Sequence, residues 1–218
     1  MSNPAARDLW QALPLRSDQM ATKPCTRADL DLLASWPPYP WPYQAFDFSF
    51  RSLGPAEWEA FFDARIQRDD RLTLVCDLGT DAAIGYVALL EIDWARRTAG
   101  NMSLRVHPNW CGKGVGTRML RMVGEWWFGY GMQALQLDVA ASNQRAVRCY
   151  LKAGFAHMGE FWREAPDLLH VDIDDSRYAF LQDHVRRAGP VPEIRFYWMR
   201  RTAEGAPPAP GRETARLQ

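Results

Sequence analysis

Glycines 112, 114 and 116 occupy alternate positions in Val106-His107-Pro108-Asn109-Trp110-Cys111-Gly112-Lys113-Gly114-Val115-Gly116-Thr117-Arg118. Side chains are missing where backbone N–H groups would converge, just ahead of an amphipathic helix whose N-terminus carries partial positive charge. Such a stretch suits a phosphate. It lacks the Gly-Lys-Ser/Thr ending that puts a lysine on a terminal phosphate and a hydroxyl on magnesium, so nucleotide hydrolysis is disfavoured. It also lacks the G-x-G-x-x-G order and acidic strand end of a dinucleotide fold. What remains is a pyrophosphate held on backbone amides without a metal. Cys111, at the helix mouth, invites a nucleophile reading, but no His or Asp is spaced to orient it. His107 reads as a loop-entry packing residue, and Lys113 as either a phosphate partner or a solvated charge. Cys25, Cys76, Cys111 and Cys149 are scattered, with no CxxC pair or Cys/His grouping, so neither a metal site nor a disulfide framework is expected.

The elements that must position this loop follow from pattern. The chain has 218 residues, 47% hydrophobic, with 26 basic and 26 acidic groups, which fits one domain with a sizeable core. No basic excess points to nucleic acid, no apolar run is long enough for a membrane, and the first residues lack a signal-peptide pattern, so a cytoplasmic protein is expected. Residues 1–17 read as a loose arm anchored by Trp10 and Leu13, and 18–25 as a weak strand. Thr26 caps a helix to Ser35 with Leu30, Leu32 and Leu33 inward. Four prolines in Trp36-Pro37-Pro38-Tyr39-Pro40-Trp41-Pro42-Tyr43 forbid regular structure and stiffen the aromatics. A helix follows from residue 54 to about 68 with Trp58, Phe61, Phe62 and Ile66 in register. Strands at 72–78, 82–92 and 101–107 make an antiparallel group, and the helix after the glycines runs to about Phe128. A strand at 134–139, a helix capped at Ser142-Asn143 and stopped by Gly154, and strands at 155–162 and 194–200 complete a mixed α/β sheet. The 163–193 stretch is too long for a hairpin and predicts an extra helix from Asp172, Asp174 and Asp175 to about Ala188. Residues 201–218 predict a disordered tail.

With these residues in place, the sequence resembles the GCN5-related N-acetyltransferase (GNAT) superfamily. That family's acyl-CoA motif is Gln/Arg-x-x-Gly-x-Gly/Ala at a helix mouth. Cys111 stands at the Gln/Arg position, and Gly114 and Gly116 match the glycines. The later run Asp138-Val139-Ala140-Ala141-Ser142-Asn143 through Cys149-Tyr150 to Gly154-Phe155 resembles the family's strand, Asn, helix with Tyr, and Gly-Phe. The resemblance is close over residues 84–162 and loose over 18–83. It implies a GNAT-like α/β (α+β) fold, with a mostly antiparallel central sheet and helices on both faces, in a single domain over 18–200. It implies acetyl-CoA as cofactor, with Leu104 and Val106 beside the pantetheine and Asn143 bonded to it. Cys111, Gly112, Lys113, Gly114, Val115, Gly116 and Thr117 would surround the pyrophosphate. Direct transfer to a primary amine would follow, the Val106 N–H polarising the thioester carbonyl.

Tyr150, seven residues beyond Asn143, lies two helical turns on and can face the same ligand. A phenol, with an ordinary pKa of about 10 against about 8.5 for a thiol, protonates a departing thiolate at little cost, so Tyr150 is the general-acid candidate. Many relatives carry a Glu as base where this chain has Asn101. Glu91 and Asp93 on the neighbouring strand are the substitutes, with a water-relayed base as fallback. Trp36, Tyr39, Trp41 and Tyr43 fall where relatives build an acceptor wall, and ring faces suit an apolar or cationic amine. A plug for the core satisfies the same pattern. The acceptor is either a small amine or a peptide N-terminus: an open groove favours peptide, a pocket closed by 36–43 and the insertion favours a small molecule. A homodimer is left open. The competing readings are an acyl-CoA-binding sensor without catalysis, motivated by Asn101 and Cys111, and a transferase of a larger acyl group.

Overall fold

The computed structural model describes residues 4–17, 20–46, 54–63, 68–79 and 82–204. Its centre is a mixed sheet built from β1 (Leu15–Ser17), β2 (Met20–Pro24), β3 (Leu72–Asp77), β4 (Ala83–Asp93), β5 (Thr98–Val106), β6 (Ala134–Ala140), β7 (Ala156–Glu164), β8 (Val185–Arg186) and β9 (Glu193–Thr202). The spatial order is β1-β2-β3-β4-β5-β6-β9-β7. Every pairing is antiparallel except β5 with β6, which touch in parallel at two residue pairs only, Thr98↔Ala134 and Ala99↔Leu135. Beyond that point the two strands part, and their C-terminal ends stand open. β7 and β8 both pair with Ile194 and Glu193. Since β7 holds one edge of β9, β8 continues the other edge, where β6 stops at Phe196.

Helices α4 (Val115–Gly129) and α5 (Gln144–Lys152) pack on one face, and α2 (Arg27–Ala34) and α3 (Pro55–Asp63) go with the other. On α4, Val115, Met119, Leu120, Val123, Trp126 and Trp127 are buried at helical spacing, as an amphipathic helix requires. Gly85 on β4 permits the contact: a Cβ there would lie 2.6 Å from the Met119 Cε and 2.7 Å from the Arg105 carbonyl oxygen. On the opposite face Leu30, Leu33, Trp36, Phe61, Val75 and Tyr86 form a second cluster. Leu32, expected inward, is 42% exposed, because residues 30 and 33 already define the buried side of this short helix. Trp58, Phe62 and Ile66 belong to the positions whose side chains lie outside the described residues.

Three other expectations need correction. Residues 4–17 are no loose arm: α1 (Pro4–Gln11) buries Ala6, Leu9 and Trp10, and Trp10 stacks on Trp126 with ring centroids 5.9 Å apart. The insertion has no long helix, only short 3-10 turns at Pro166–Leu168 and Ser176–Tyr178 before α6 (Ala179–Gln182). Asp172 and Asp175 accept the N–H groups of Asp174 and Arg177, and such side-chain bonds compete with a helical ladder. Of the expected tail, Arg201 and Thr202 extend β9, and residues 205–218 lie outside the described residues.

The capping of α2 carries a prediction. Thr26 and Asp29 form a reciprocal capping box, and Lys23 lies 3.0 Å from the Asp29 carboxylate. Burial works against the Asp29 charge, but the hydrogen bonds from Thr26 and the nearby Lys23 outweigh it and hold its pKa below the ordinary value. The stabilisation is therefore present above the unfolded pKa, near 4, and is lost as pH falls through the lower folded value. Thr26→Ala should cost about 1 kcal/mol in urea unfolding at pH 7. Part of that difference should disappear at acid pH.

Candidate active site

The glycine loop adopts the conformation that its composition permits. Gly112 and Gly114 have φ of +76° and +75°, a region that disfavours side chains, and Gly114 is the N-cap of α4. The Arg118 N–H is the first to find an intrahelical partner, the Gly114 carbonyl. The amides of Val115, Gly116 and Thr117 therefore face outward from the helix mouth without helical partners. Gly116 is small for a different reason: a Cβ there would lie 3.1 Å from the Cys149 Sγ, 3.2 Å from Leu104 and 3.3 Å from Val106. That glycine lets α4 come against both β5 and α5.

The parting of β5 from β6 supplies a slot. The His107 N–H bonds to the Ile84 carbonyl on β4. By antiparallel alternation, the backbone groups of Val106 and Leu104 point the other way, into the open gap. A cavity of about 340 Å³ occupies it, with Leu104, Val106, Gly114 to Thr117, Asn143 and Tyr150 on its wall. Arg145, Arg148 and Lys152, spaced along one side of α5, add positive charge, and among the described residues no carboxylate lines it. A slot with backbone donors along one side, a helix mouth at one end and cations at its rim fits an elongated anion such as an acyl-CoA.

Asn143 is the N-cap of α5, its side-chain oxygen accepting the Ala146 N–H at 3.2 Å. Tyr150, also on α5, is buried and meets Phe155 edge-on at 5.8 Å. Burial, followed by the neighbouring Cys149, Tyr39 and Tyr86, pushes its phenol above the ordinary range. Tyr39 enters from the proline-rich segment. Its hydroxyl donates to the Val106 carbonyl at 2.7 Å and accepts the Val106 N–H at 3.3 Å. Arg105 and Arg145 lie over its ring at 5.8 and 4.5 Å. Burial raises this phenol to about 12.

The structure does not bring every candidate here. Glu91 and Asp93 lie at the far end of the β4/β5 ladder, where Ile92 faces Ala99 and Asp93 faces Thr98. At about 3.3 Å per residue, Ala99 is on the order of 20 Å from Val106. Glu91 is exposed with φ +54°, and Asp93 receives the Arg96 N–H in the following turn. Both are corrected as base candidates: neither reaches the cavity. Lys113 lies over the Trp110 ring at 5.1 Å and is not on the cavity wall. The Cys111 thiol turns inward, 3.7 Å from the Val106 and His107 carbonyls. His107 accepts the Asn109 N–H and packs against Trp36 at 5.0 Å, and burial and Arg105 lower its pKa.

Of the aromatic candidates, only Tyr39 lines the cavity. Trp36 is buried beneath it, Tyr43 lies under Arg145 at 4.0 Å, and Trp41 meets Tyr178 and Phe180 of the insertion at 5.3 and 5.6 Å. The proline-rich segment and the insertion therefore close on each other. Sequence reasoning missed Phe46 and the cations Arg145, Arg148 and Lys152. The signal for the cations was their spacing of three and four along the helix that also carries Asn143 and Tyr150.

Comparison with known proteins agrees with this geometry. The profile of the Acetyltransferase (GNAT) family matches residues 32–155. The chain belongs to that family. It is 31% identical over 126 residues to the spermidine N(1)-acetyltransferase of Escherichia coli K12, a match covering 56% of this chain and 61% of that protein. It is 36% identical over 105 residues to the type 1 aminoglycoside N(6')-acetyltransferase of Klebsiella pneumoniae, covering 45% and 51%. Each match thus spans less than two thirds of the relative. Among solved structures, a spermidine N-acetyltransferase from Vibrio cholerae in complex with CoA and spermine superimposes with a TM-score of 0.60 at 18% identity, over 86% of this chain and 98% of that one. At that identity the likeness is one of fold, and it confirms the mixed, mostly antiparallel GNAT sheet expected from the sequence.

Proposed function

We propose that this protein transfers an acetyl group from acetyl-CoA to a primary amine of a small molecule. The observation that carries the reading is one slot that holds unpartnered helix-mouth amides at one end, strand backbone donors along its side and the Tyr150 phenol in its wall. Acetyl-CoA, when bound, supplies the activated thioester. The amides of residues 112–117 and the cations of α5 hold its phosphates. Leu104, Val106 and Asn143 orient its arm, and the Val106 N–H polarises the carbonyl. The acceptor attacks as the neutral amine after losing its proton to water, since no carboxylate among the described residues lines the slot. Tyr150 then gives its proton to the departing thiolate. Burial keeps the phenol protonated across the neutral range, so the proton is in place to be given, while the same shift makes its transfer to a thiolate costlier than from an ordinary phenol.

The contact of Trp41 with Tyr178 and Phe180 favours a small acceptor over a peptide N-terminus, since it closes one side of the approach. The relatives named for spermidine and aminoglycosides support the same class. Among the described residues no helix is long and apolar enough to cross a membrane. Thiol release from acetyl-CoA, measured across primary amines and peptides, tests the reading. Turnover with at least one small amine and none with peptides is expected. Binding of acetyl-CoA without thiol release on any amine overturns it.

A further inference from the structure

Tyr39 stands at the point in the slot where charge would develop. Its stronger hydrogen bond goes to the Val106 carbonyl at 2.7 Å, whereas the Val106 N–H reaches it only at 3.3 Å. An N–H···O contact of that length leaves the amide short of a good acceptor. The ring is 8% exposed and held by the Arg105 and Arg145 guanidinium groups, so it does not leave its place cheaply. On the activity proposed above, on which this argument rests, the acyl carbonyl oxygen comes to that same N–H. Two oxygens crowded around one donor repel unless a second proton lies between them. The Tyr39 O–H supplies that proton by rotating about its C–O bond.

We infer that Tyr39 is a catalytic residue whose O–H turns from the Val106 carbonyl to the acyl oxygen and completes a two-donor oxyanion hole with the Val106 N–H. As the amine nitrogen bonds to the acyl carbon, the carbonyl electron pair moves onto oxygen and is met by both donors. When the carbonyl re-forms, the C–S bond breaks and the thiolate takes the Tyr150 proton, while the surplus proton on the newly bonded nitrogen passes to water and a proton from solvent restores the phenol. Tyr39 keeps its own proton throughout, which a phenol pKa of about 12 favours. The rotation takes a donor from the Val106 carbonyl, and the Cys111 thiol at 3.7 Å is the weak donor left on it. That gives a use to the residue standing where the family motif has Gln or Arg.

The test uses Tyr39→Phe, which keeps the ring under both arginines. Turnover with the best amine should fall about 100-fold, the order of one oxyanion donor, with the affinity for CoA unchanged. Independently of turnover, infrared spectra should be taken of the bound ketone analogue of acetyl-CoA, labelled at the carbonyl, in which a methylene replaces the thioester sulfur. Its carbonyl stretch should lie lower on the wild type than on Tyr39→Phe. Equal stretches overturn the inference. So does a variant that keeps its turnover and binds acetyl-CoA more tightly, which would make Tyr39 a plug over the Val106 amide. If the Phe variant fails to fold, fluorotyrosines at position 39 carry the same measurement, the stretch falling as the ring becomes more acidic. A wild type that turns over no amine counts against the proposed activity alone, and the spectra still decide Tyr39.

Discussion

Tyr150→Phe is expected to lower the maximal rate of acetyl transfer by about 100-fold to 1000-fold, the range of a lost general acid, while CoA affinity stays within about twofold. The ring remains against Phe155 and the helix keeps its place in the wall, so only the proton is removed. The pH profile sharpens the expectation. Burial holds the phenols of Tyr150 and Tyr39 protonated well beyond neutrality. Wild-type rate should therefore climb with pH as the acceptor amine loses its proton, with no descending limb from either phenol below about pH 10. Thiol-release rates from pH 6 to 10 check both statements. A Phe variant as fast as the wild type would remove Tyr150 from the mechanism.

Trp127→Ala should produce the largest loss of stability. The side chain is fully buried, and its indole N–H donates to the Ala134 carbonyl at 3.1 Å. Truncating a buried tryptophan costs about 3 to 5 kcal/mol. For a chain of this size that corresponds to a fall of roughly 10 °C in Tm. The position matters beyond the energy. Ala134 pairs with Thr98 at the point where β5 and β6 touch before they part, so Trp127 ties α4 to the pivot of the slot. Calorimetric titration of the folded variant should show weaker CoA binding. Unchanged Tm would show that α4 is anchored elsewhere.

Much of this arrangement was written locally. Alternating glycines, the Thr26 cap, the Asn143 cap and the Gly154 stop each announce themselves within a few residues, because backbone conformation and end-capping are short-range physics. The donor half of the site was legible for that reason. What misled were features decided by distant packing. The first helix exists because Trp10 has Trp126 to stack on, more than a hundred residues away. Glu91 and Asp93 looked like substitutes for a missing carboxylate because they are on the adjacent strand. An antiparallel neighbour runs the other way, however, and carries them to the wrong end of the sheet. Tyr39 was legible as an aromatic wall, but its hydroxyl became informative only with Val106 beside it.

One side of the slot between β5 and β6 is offered by main chain, the free edge at Val106 and the amides at the mouth of α4, and the loop at its end carries glycines. Main-chain geometry comes with the fold and survives most substitutions. On the activity proposed above, the wall facing the acceptor is made instead by side chains that flank the sheet, where Trp41 meets Tyr178 and Phe180. On that activity, exchanging Trp41, Tyr178 or Phe180, none of which lines the slot, would reshape the recognised amine and leave the grip on the acyl donor in place. The molecule thus separates a fixed handle from an interchangeable jaw, and a change of acceptor demands no new fold and no new cofactor grip.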